Sequence, residues 1–211
     1  MSNSSWNRFD RAAAEWDAHP ARVDLARQVA AAIGEAIPLS PVSEVLDFGA
    51  GTGLLTLALA SRVARVVAVD SSIEMTRVLR SKIEATGLTQ VEVWHADIGT
   101  LSLPERRFDV VVSSMVLHHL PDVPSVLARL RAVLKPGGWI ALADLAREDG
   151  SFHDDPEGVH HLGFEDGQLR VWMGEAGFVN PAVREIHRMS RADKEGRIRD
   201  YPILLVSARV S

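Results

Sequence analysis

The stretch Glu44–Ala60, EVLDFGAGTGLLTLALA, constrains this chain more than any other. Val45, Leu46 and Phe48 read as a short buried strand. Gly49-Ala50-Gly51-Thr52-Gly53 reads as a turn, and Leu54, Leu55, Leu57, Ala58 and Leu59 then fall at helical spacing. A strand, a glycine turn and a helix in succession predict the first half of a nucleotide-binding βαβ unit. One glycine is expected to let the chain reverse at φ values that a side chain resists. The others are expected to remove Cβ atoms where a ligand lies against the backbone. The first turn of the helix offers unpaired N–H groups to a carboxylate or phosphate. The competing interpretation is a structural turn with no ligand.

The spacing narrows the ligand. In the dinucleotide fingerprint G-x-G-x-x-G the third glycine comes one residue later, where Leu54 stands here. Asp47 precedes the turn and makes it D-x-G-x-G-x-G. This pattern resembles motif I of the class I S-adenosylmethionine-dependent methyltransferases. LKPGGWIALADL, at 134–145, also resembles that family's sequence after its central helix.

The rest of the chain alternates in the same way. Trp6, Phe9 and Trp16 stand in a polar N-terminal stretch, and a short helix puts Phe9 and Trp16 on one face. That segment is expected either to dock on the body or to act as a lid with aromatic walls for a cation. Pro20 opens a helix with a stripe of Ala26, Val29, Ala30, Ile33 and Ile37. Ala64–Val69 is a second strand ending at Asp70, apolar on both faces as in a covered parallel sheet. Asp70 can accept hydrogen bonds from ribose hydroxyls, or it can cap the helix expected over Ser72–Thr86. Val91–His95 is strand three, followed by Ala96-Asp97-Ile98, where Asp97 could equally cap a turn. Phe108–Ser114 is strand four. Val123, Val126, Leu127, Leu130 and Leu134 then mark an amphipathic helix. Trp139–Ala143 is strand five, ending at Asp144. A helix over Phe164–Ala176 precedes two final strands, Phe178–Ile186 and Tyr201–Val210, joined by a charged turn over Arg191–Arg199. Pro202 cannot donate to a ladder and is expected at a strand start.

These elements predict an α/β fold: a doubly wound, seven-stranded, mostly parallel Rossmann-like sheet with helices on both faces. One domain over 1–211 is expected, with 1–37 as a helical lid and 147–163 as a loop over the site. Ligands in such sheets bind at the carboxyl ends of the strands, where the glycine turn, Asp70, Asp97 and the segment after strand four all fall. The resemblance, close over 40–145 and looser elsewhere, implies S-adenosylmethionine as cofactor. It is nearest to small-molecule enzymes of the ubiquinone/menaquinone C-methylation type. It implies that Asp47, Gly49, Ala50, Gly51 and Gly53 meet the methionine and ribose parts. Asp70 with Ser71 would hold the ribose, and Asp97 with Ile98 the adenine. Ser114 would lie near the reactive end, and Trp16 would cover the cofactor.

The acceptor is less legible. His118 and His119 follow strand four, and His153, His160 and His161 lie in the loop after strand five beside Asp154, Asp155 and Glu157. His118, His119 and His153 are the candidates for orienting or deprotonating an acceptor. A divalent-metal site in the loop and a solvated loop remain alternatives, and no metal ligand is assigned. The 211 residues carry no cysteine, which excludes disulfides and thiolate chemistry, and a net charge of −5 with no Lys/Arg block argues against a nucleic-acid partner. The polar N-terminus and the lack of a long apolar run predict a cytoplasmic protein without a membrane span, monomeric or homodimeric. The expected function is methyl transfer to an O, N or C atom of a small molecule. A catalytically idle scaffold and a nucleotide-cofactor oxidoreductase are the alternatives.

Overall fold

The structure is a computed structural model that describes residues 7–97, 103–193 and 196–211. Seven strands form one sheet in the order β3-β2-β1-β4-β5-β7-β6. They are β1 (Glu44–Phe48), β2 (Arg65–Asp70), β3 (Val91–His95), β4 (Phe108–Ser114), β5 (Leu134–Leu145), β6 (Phe178–Ala192) and β7 (Ile198–Val210). The helices are α1 (Asn7–Ala12), α2 (Pro20–Ala36), α3 (Leu54–Ala60), α4 (Ile73–Thr86), α5 (Val123–Val133) and α6 (Asp166–Glu175), and a 3₁₀ turn over Ala13–Ala18 links α1 to α2. Strands β1 to β5 pair in parallel, whereas β7 runs antiparallel to both β5 and β6. The order reverses between β1 and β4, which is the switch point that opens a crevice at the carboxyl ends.

Both faces of the sheet are buried, which is why β1, β2 and β4 read as continuous apolar runs. On one face Val123, Val126, Leu127 and Leu130 of α5 pack with Leu46, Phe108 and Ile140. On the other, Val29 and Ile33 of α2 meet Val45, Val112 and Ala141. Leu127 is fully buried, so Leu127→Ala would cost about 2–5 kcal/mol. Helix α4 is closed at both ends as its sequence suggests. The Ser72 hydroxyl accepts from the Met75 N–H, and Gly87 ends the helix in a left-handed conformation.

The final hairpin differs from expectation. β6 and β7 are much longer than their apolar cores, and the ladder runs to Ala192↔Ile198, so both ends of the supposed charged turn are strand. Cross-strand pairs such as Ser190 Oγ to Asp200 Oδ1, 2.5 Å, support an exposed ribbon that hydropathy does not mark. Pro202 lies inside β7 rather than at its start, opposite Arg188. Its carbonyl accepts from the Ala146 N–H beyond Leu145↔Ile203, the last pair of the β5 ladder, so its missing donor falls where that ladder has already ended. Among the described residues no helix is long and apolar enough to cross a membrane.

Candidate functional site

A cavity of about 490 Å³ opens at the switch point, walled by the glycine turn, the end of β4, α1, α2 and the 147–163 segment. Its floor is the glycine turn. The N–H groups of Gly49 and Ala50 both donate to the Val69 carbonyl, at 2.8 and 2.9 Å, and that of Gly53 to the Ala50 carbonyl at 2.9 Å. The Gly51 N–H donates to Asp70 Oδ2 at 2.7 Å. Four of the five turn N–H groups thus build the turn itself instead of waiting for a ligand.

The glycines divide by role. A Cβ on Gly49 would strike Val116, and one on Gly53 would strike Leu79, so both serve internal packing. A Cβ on Gly51 would meet nothing within 4 Å, although φ is +56°. The turn is therefore open to a ligand at Gly51, which is the fit a cofactor lying on this backbone requires.

Two carboxyls lie beneath and beside the turn. Asp47 is 1% exposed, accepts from the Thr56 hydroxyl at 2.5 Å, and is pushed up to about 7 by burial, with the Asp70 charge adding to the rise. Asp70 is also raised by burial, against which the backbone donors of Ser72 and Gly51 pull it down. The suggested N-cap role for Asp70 is corrected: Ser72 caps α4, and Asp70 Oδ1 instead accepts from the Ser72 N–H at 2.8 Å. Asp70 thus ties the glycine turn to α4.

Not every sequence candidate reaches this cavity. Asp47, Gly49, Ala50, Gly51, Asp70, Ser114 and Trp16 line it, but Gly53, Ser71 and Asp97 do not. Asp97 is exposed and follows Ala96, whose N–H donates to the Asp70 carbonyl at 3.0 Å. Ile98 and Trp6 lie outside the described residues.

The three histidine candidates come together. The His118 and His119 ring centroids are 3.9 Å apart, and His153 is 5.0 Å from the first and 5.7 Å from the second. His118 is buried, and its Nδ1 lies 2.6 Å from Oδ1 of the equally buried Asp144 at the end of β5. That contact assigns the proton to Nδ1 and leaves Nε2 as the basic nitrogen. His119 Nδ1 donates to the Gly158 carbonyl at 2.8 Å and its Nε2 accepts from Arg8 at 3.1 Å. Burial pushes His119 down to about 2 and His153 to about 4, so both are neutral at pH 7. His153 Nε2 is buried with no hydrogen-bond partner among the described residues. His160 and His161 do not join the cluster. Their backbone N–H groups hold the His118 carbonyl, and the His161 ring bonds the Leu120 carbonyl at 3.0 Å beside Phe164 and Trp172. Among the described residues no group of three or more His, Asp or Glu is arranged to hold a metal.

The N-terminal segment is fastened across the cavity. Asp10 Oδ1 accepts from the Ser72 hydroxyl at 2.5 Å and the Glu74 N–H at 3.2 Å. Asp17 accepts from the Thr52 hydroxyl at 2.6 Å and pairs with Lys82. Phe9 and Trp16 face each other with centroids 6.0 Å apart, as their spacing predicts. Sequence reasoning missed Arg8, Arg22, Phe152, Met189 and Arg191, all of which line the cavity. Met115 also lines it, at φ +60°, a costly conformation for its residue type.

Residues 45–138 match the methyltransferase domain family. An uncharacterized methyltransferase of Mycobacterium tuberculosis is 40% identical over 98 residues, 46% of this chain and 48% of that protein. A ubiquinone biosynthesis O-methyltransferase of Leptothrix cholodnii is 33% identical over 110 residues, 52% and 47% of the two chains. A demethylmenaquinone methyltransferase of Bacillus cereus is 38% identical over 105 residues, 48% and 44%. The matches span about half the length of these relatives. Among solved structures, a SAM-dependent methyltransferase from Aquifex aeolicus aligns with TM-score 0.65 and 22% identity over 86% of this chain and 89% of that one. Haemonchus contortus phosphoethanolamine N-methyltransferase 2, in complex with S-adenosyl-L-methionine, aligns with TM-score 0.72 and 17% identity, covering 87% and 52%. Residues 45–138 thus resemble a methyltransferase domain, and the sheet that carries them has the fold of the solved methyltransferases it aligns with.

Proposed function

We propose that this protein is an S-adenosylmethionine-dependent methyltransferase acting on a small molecule. The observation that carries it is one continuous cavity joining a turn left open at Gly51 to the buried His118–Asp144 pair. The quinone-pathway names among the relatives favour a small acceptor. When bound, the cofactor supplies an electrophilic methyl group on a sulfonium.

The chain's residues would then do three things. Gly51 leaves the backbone bare for the cofactor, while Asp70 presents its remaining lone pairs to ribose hydroxyls. Asp47, under the turn, offers negative charge to the cofactor's cationic methionine end. Ser114 would flank the reacting centre and Trp16 would cover the cofactor, while the adenine would have to extend beyond the cavity lining to meet Asp97. His118 Nε2 accepts the proton of an attacking hydroxyl, and Asp144 holds the tautomer and stabilises the imidazolium that forms. The N-terminal segment and the 147–163 loop exclude water, which strengthens these interactions. An oxygen acceptor uses such a base best. The rest is positioning of acceptor and methyl in line.

The test is thermal denaturation with S-adenosylhomocysteine, S-adenosylmethionine and NAD, followed by methyl transfer to hydroxylated aromatic acceptors. The sulfur cofactors should stabilise the fold, by about 2.7 kcal/mol at a hundredfold excess over Kd. Stabilisation by NAD alone would make the protein an oxidoreductase. Cofactor binding with no methyl transfer to any acceptor would leave the idle scaffold.

A further inference from the structure

We propose that the acceptor carries a carboxylate, held between Arg22 and Arg191 at the cavity wall, so that the substrate is a hydroxylated aromatic acid. This rests on the methyltransferase reading for the reaction, but not for the binding.

Arg22 lies flat over Trp16, 3.8 Å from the ring centroid, and its Nη1 donates to the Trp16 carbonyl at 3.3 Å. Among the described residues it makes no ion pair, and Asp17, whose charge acts on it, is already bonded to Thr52 and Lys82. Burial, then the charge of Arg191, holds the Arg22 guanidinium below its ordinary range, and both cations line one cavity together with Asp154 and Asp155. Arg191 does have a partner, Asp154 at 2.7 Å, but that side chain is 76% exposed and its attraction is screened by water. Arg8 spends its donors on the Asp155 and Glu157 carbonyls and on His119, again without an ion pair among the described residues.

Cations drawn into a partly buried wall without anions are costly, and a ligand anion removes the cost. The cofactor cannot supply enough. It brings one carboxylate but also an ammonium and a sulfonium, so its net charge is positive and it adds no net negative charge to the wall. Planar guanidinium groups match a carboxylate in two-point contact better than lysines would. The surfaces between them are apolar: Phe152, with Arg191 over its ring at 5.2 Å, and Met189. An aromatic body thus fits between an anionic end at Arg22 and Arg191 and a hydroxyl end at His118 Nε2.

The experiment uses matched pairs: 4-hydroxybenzoate, 3,4-dihydroxybenzoate and 4-hydroxycinnamate, each against its primary amide. Binding is measured by titration calorimetry with and without saturating S-adenosylhomocysteine. At least one acid should bind ten or more times tighter than its amide, and this ratio should shrink as salt is raised. Arg191→Gln should lower the ratio about tenfold with amide affinity unchanged, and Arg191→Lys should lower it less. Arg22→Gln should act in the same direction, with thermal melts confirming that each variant is folded. Acid binding without any binding of S-adenosylhomocysteine would uphold the anion site while removing the methyltransferase reading. Amides binding as well as acids throughout would overturn the proposal. So would an acid preference that survives both substitutions while cofactor-product affinity falls, because the arginines would then serve the cofactor's own carboxylate.

Discussion

Replacing Asp47 with asparagine should stabilise the protein at pH 8 and change it little at pH 4. Asp47 is 1% exposed, has the Thr56 hydroxyl as its donor, and lies near a second carboxylate, Asp70. Burial raises it from 3.8 to about 7. A carboxyl whose folded pKa exceeds its unfolded pKa binds its proton more tightly when folded. Its stabilising contribution is therefore complete below about pH 4, is lost as pH rises toward 7, and stays lost above. A rise of about three pKa units corresponds to about 4 kcal/mol of lost stability at pH 8. Asparagine carries no charge to desolvate and still offers an oxygen to Thr56, but its NH₂ must find a partner at the cost of a buried donor. The net gain at pH 8 should be about 1–4 kcal/mol. Urea melts of both proteins from pH 4 to 8 measure it as a difference that grows with pH and levels near 7. A pH-independent difference, or an asparagine variant that is weaker at pH 8, would refute the reasoning. The ionised form is also the one that attracts a cationic ligand, so S-adenosylmethionine affinity should rise through pH 7 in the parent and lose that dependence in the variant.

Other outcomes follow from the same contacts. Gly51→Ala should cost about 1–2 kcal/mol of stability, because alanine resists φ +56°, and should weaken S-adenosylhomocysteine binding at least tenfold; unchanged affinity would mean that no ligand lies on the turn. Asp70→Ala releases the Gly51 and Ser72 N–H groups and any ribose hydroxyls together, so calorimetry should show roughly 1.5–3 kcal/mol less cofactor affinity alongside lower stability; a loss in stability alone would remove the ribose role. His118→Asn should lower turnover of an oxygen acceptor about 10²–10⁴-fold while cofactor affinity holds; normal turnover and an unaltered pH–rate profile would exclude it as the base.

The glycine-turn half of the fold was legible because its signals are local. A turn needs its glycines within a few residues of one strand, and Asp70 follows directly from the next. α4 carries its cap in Ser72 and its stop in Gly87. The roles of individual glycines were not legible, since what decides them is a distant neighbour: Val116 behind Gly49, Leu79 behind Gly53, and open space at Gly51. The long β6–β7 ribbon was missed for a related reason. Its outer half is held by pairs such as Ser190 with Asp200 and Arg199 with Asp149, whose polar residues look like a turn when read along the chain.

The acceptor side has no comparable local signature, and its geometry explains why. His118 could be noticed as a histidine after a strand, but its orientation depends on Asp144, which stands 26 positions later on the neighbouring strand. Those positions meet because β4 and β5 pair in parallel with Ser114 beside Ala143, which carries the end of one strand to the end of the next. Arg8, Arg22 and Arg191 are brought to one cavity from α1, α2 and the far end of β6. Asp10 anchors the N-terminal segment to the start of α4 and Asp17 anchors it to Thr52, so the same short stretch that supplies Arg8 and Trp16 to the cavity lining is tied to the floor where the cofactor would lie. The two ligand regions therefore share one fastening, and a residue there cannot be assigned to either from its place in the sequence.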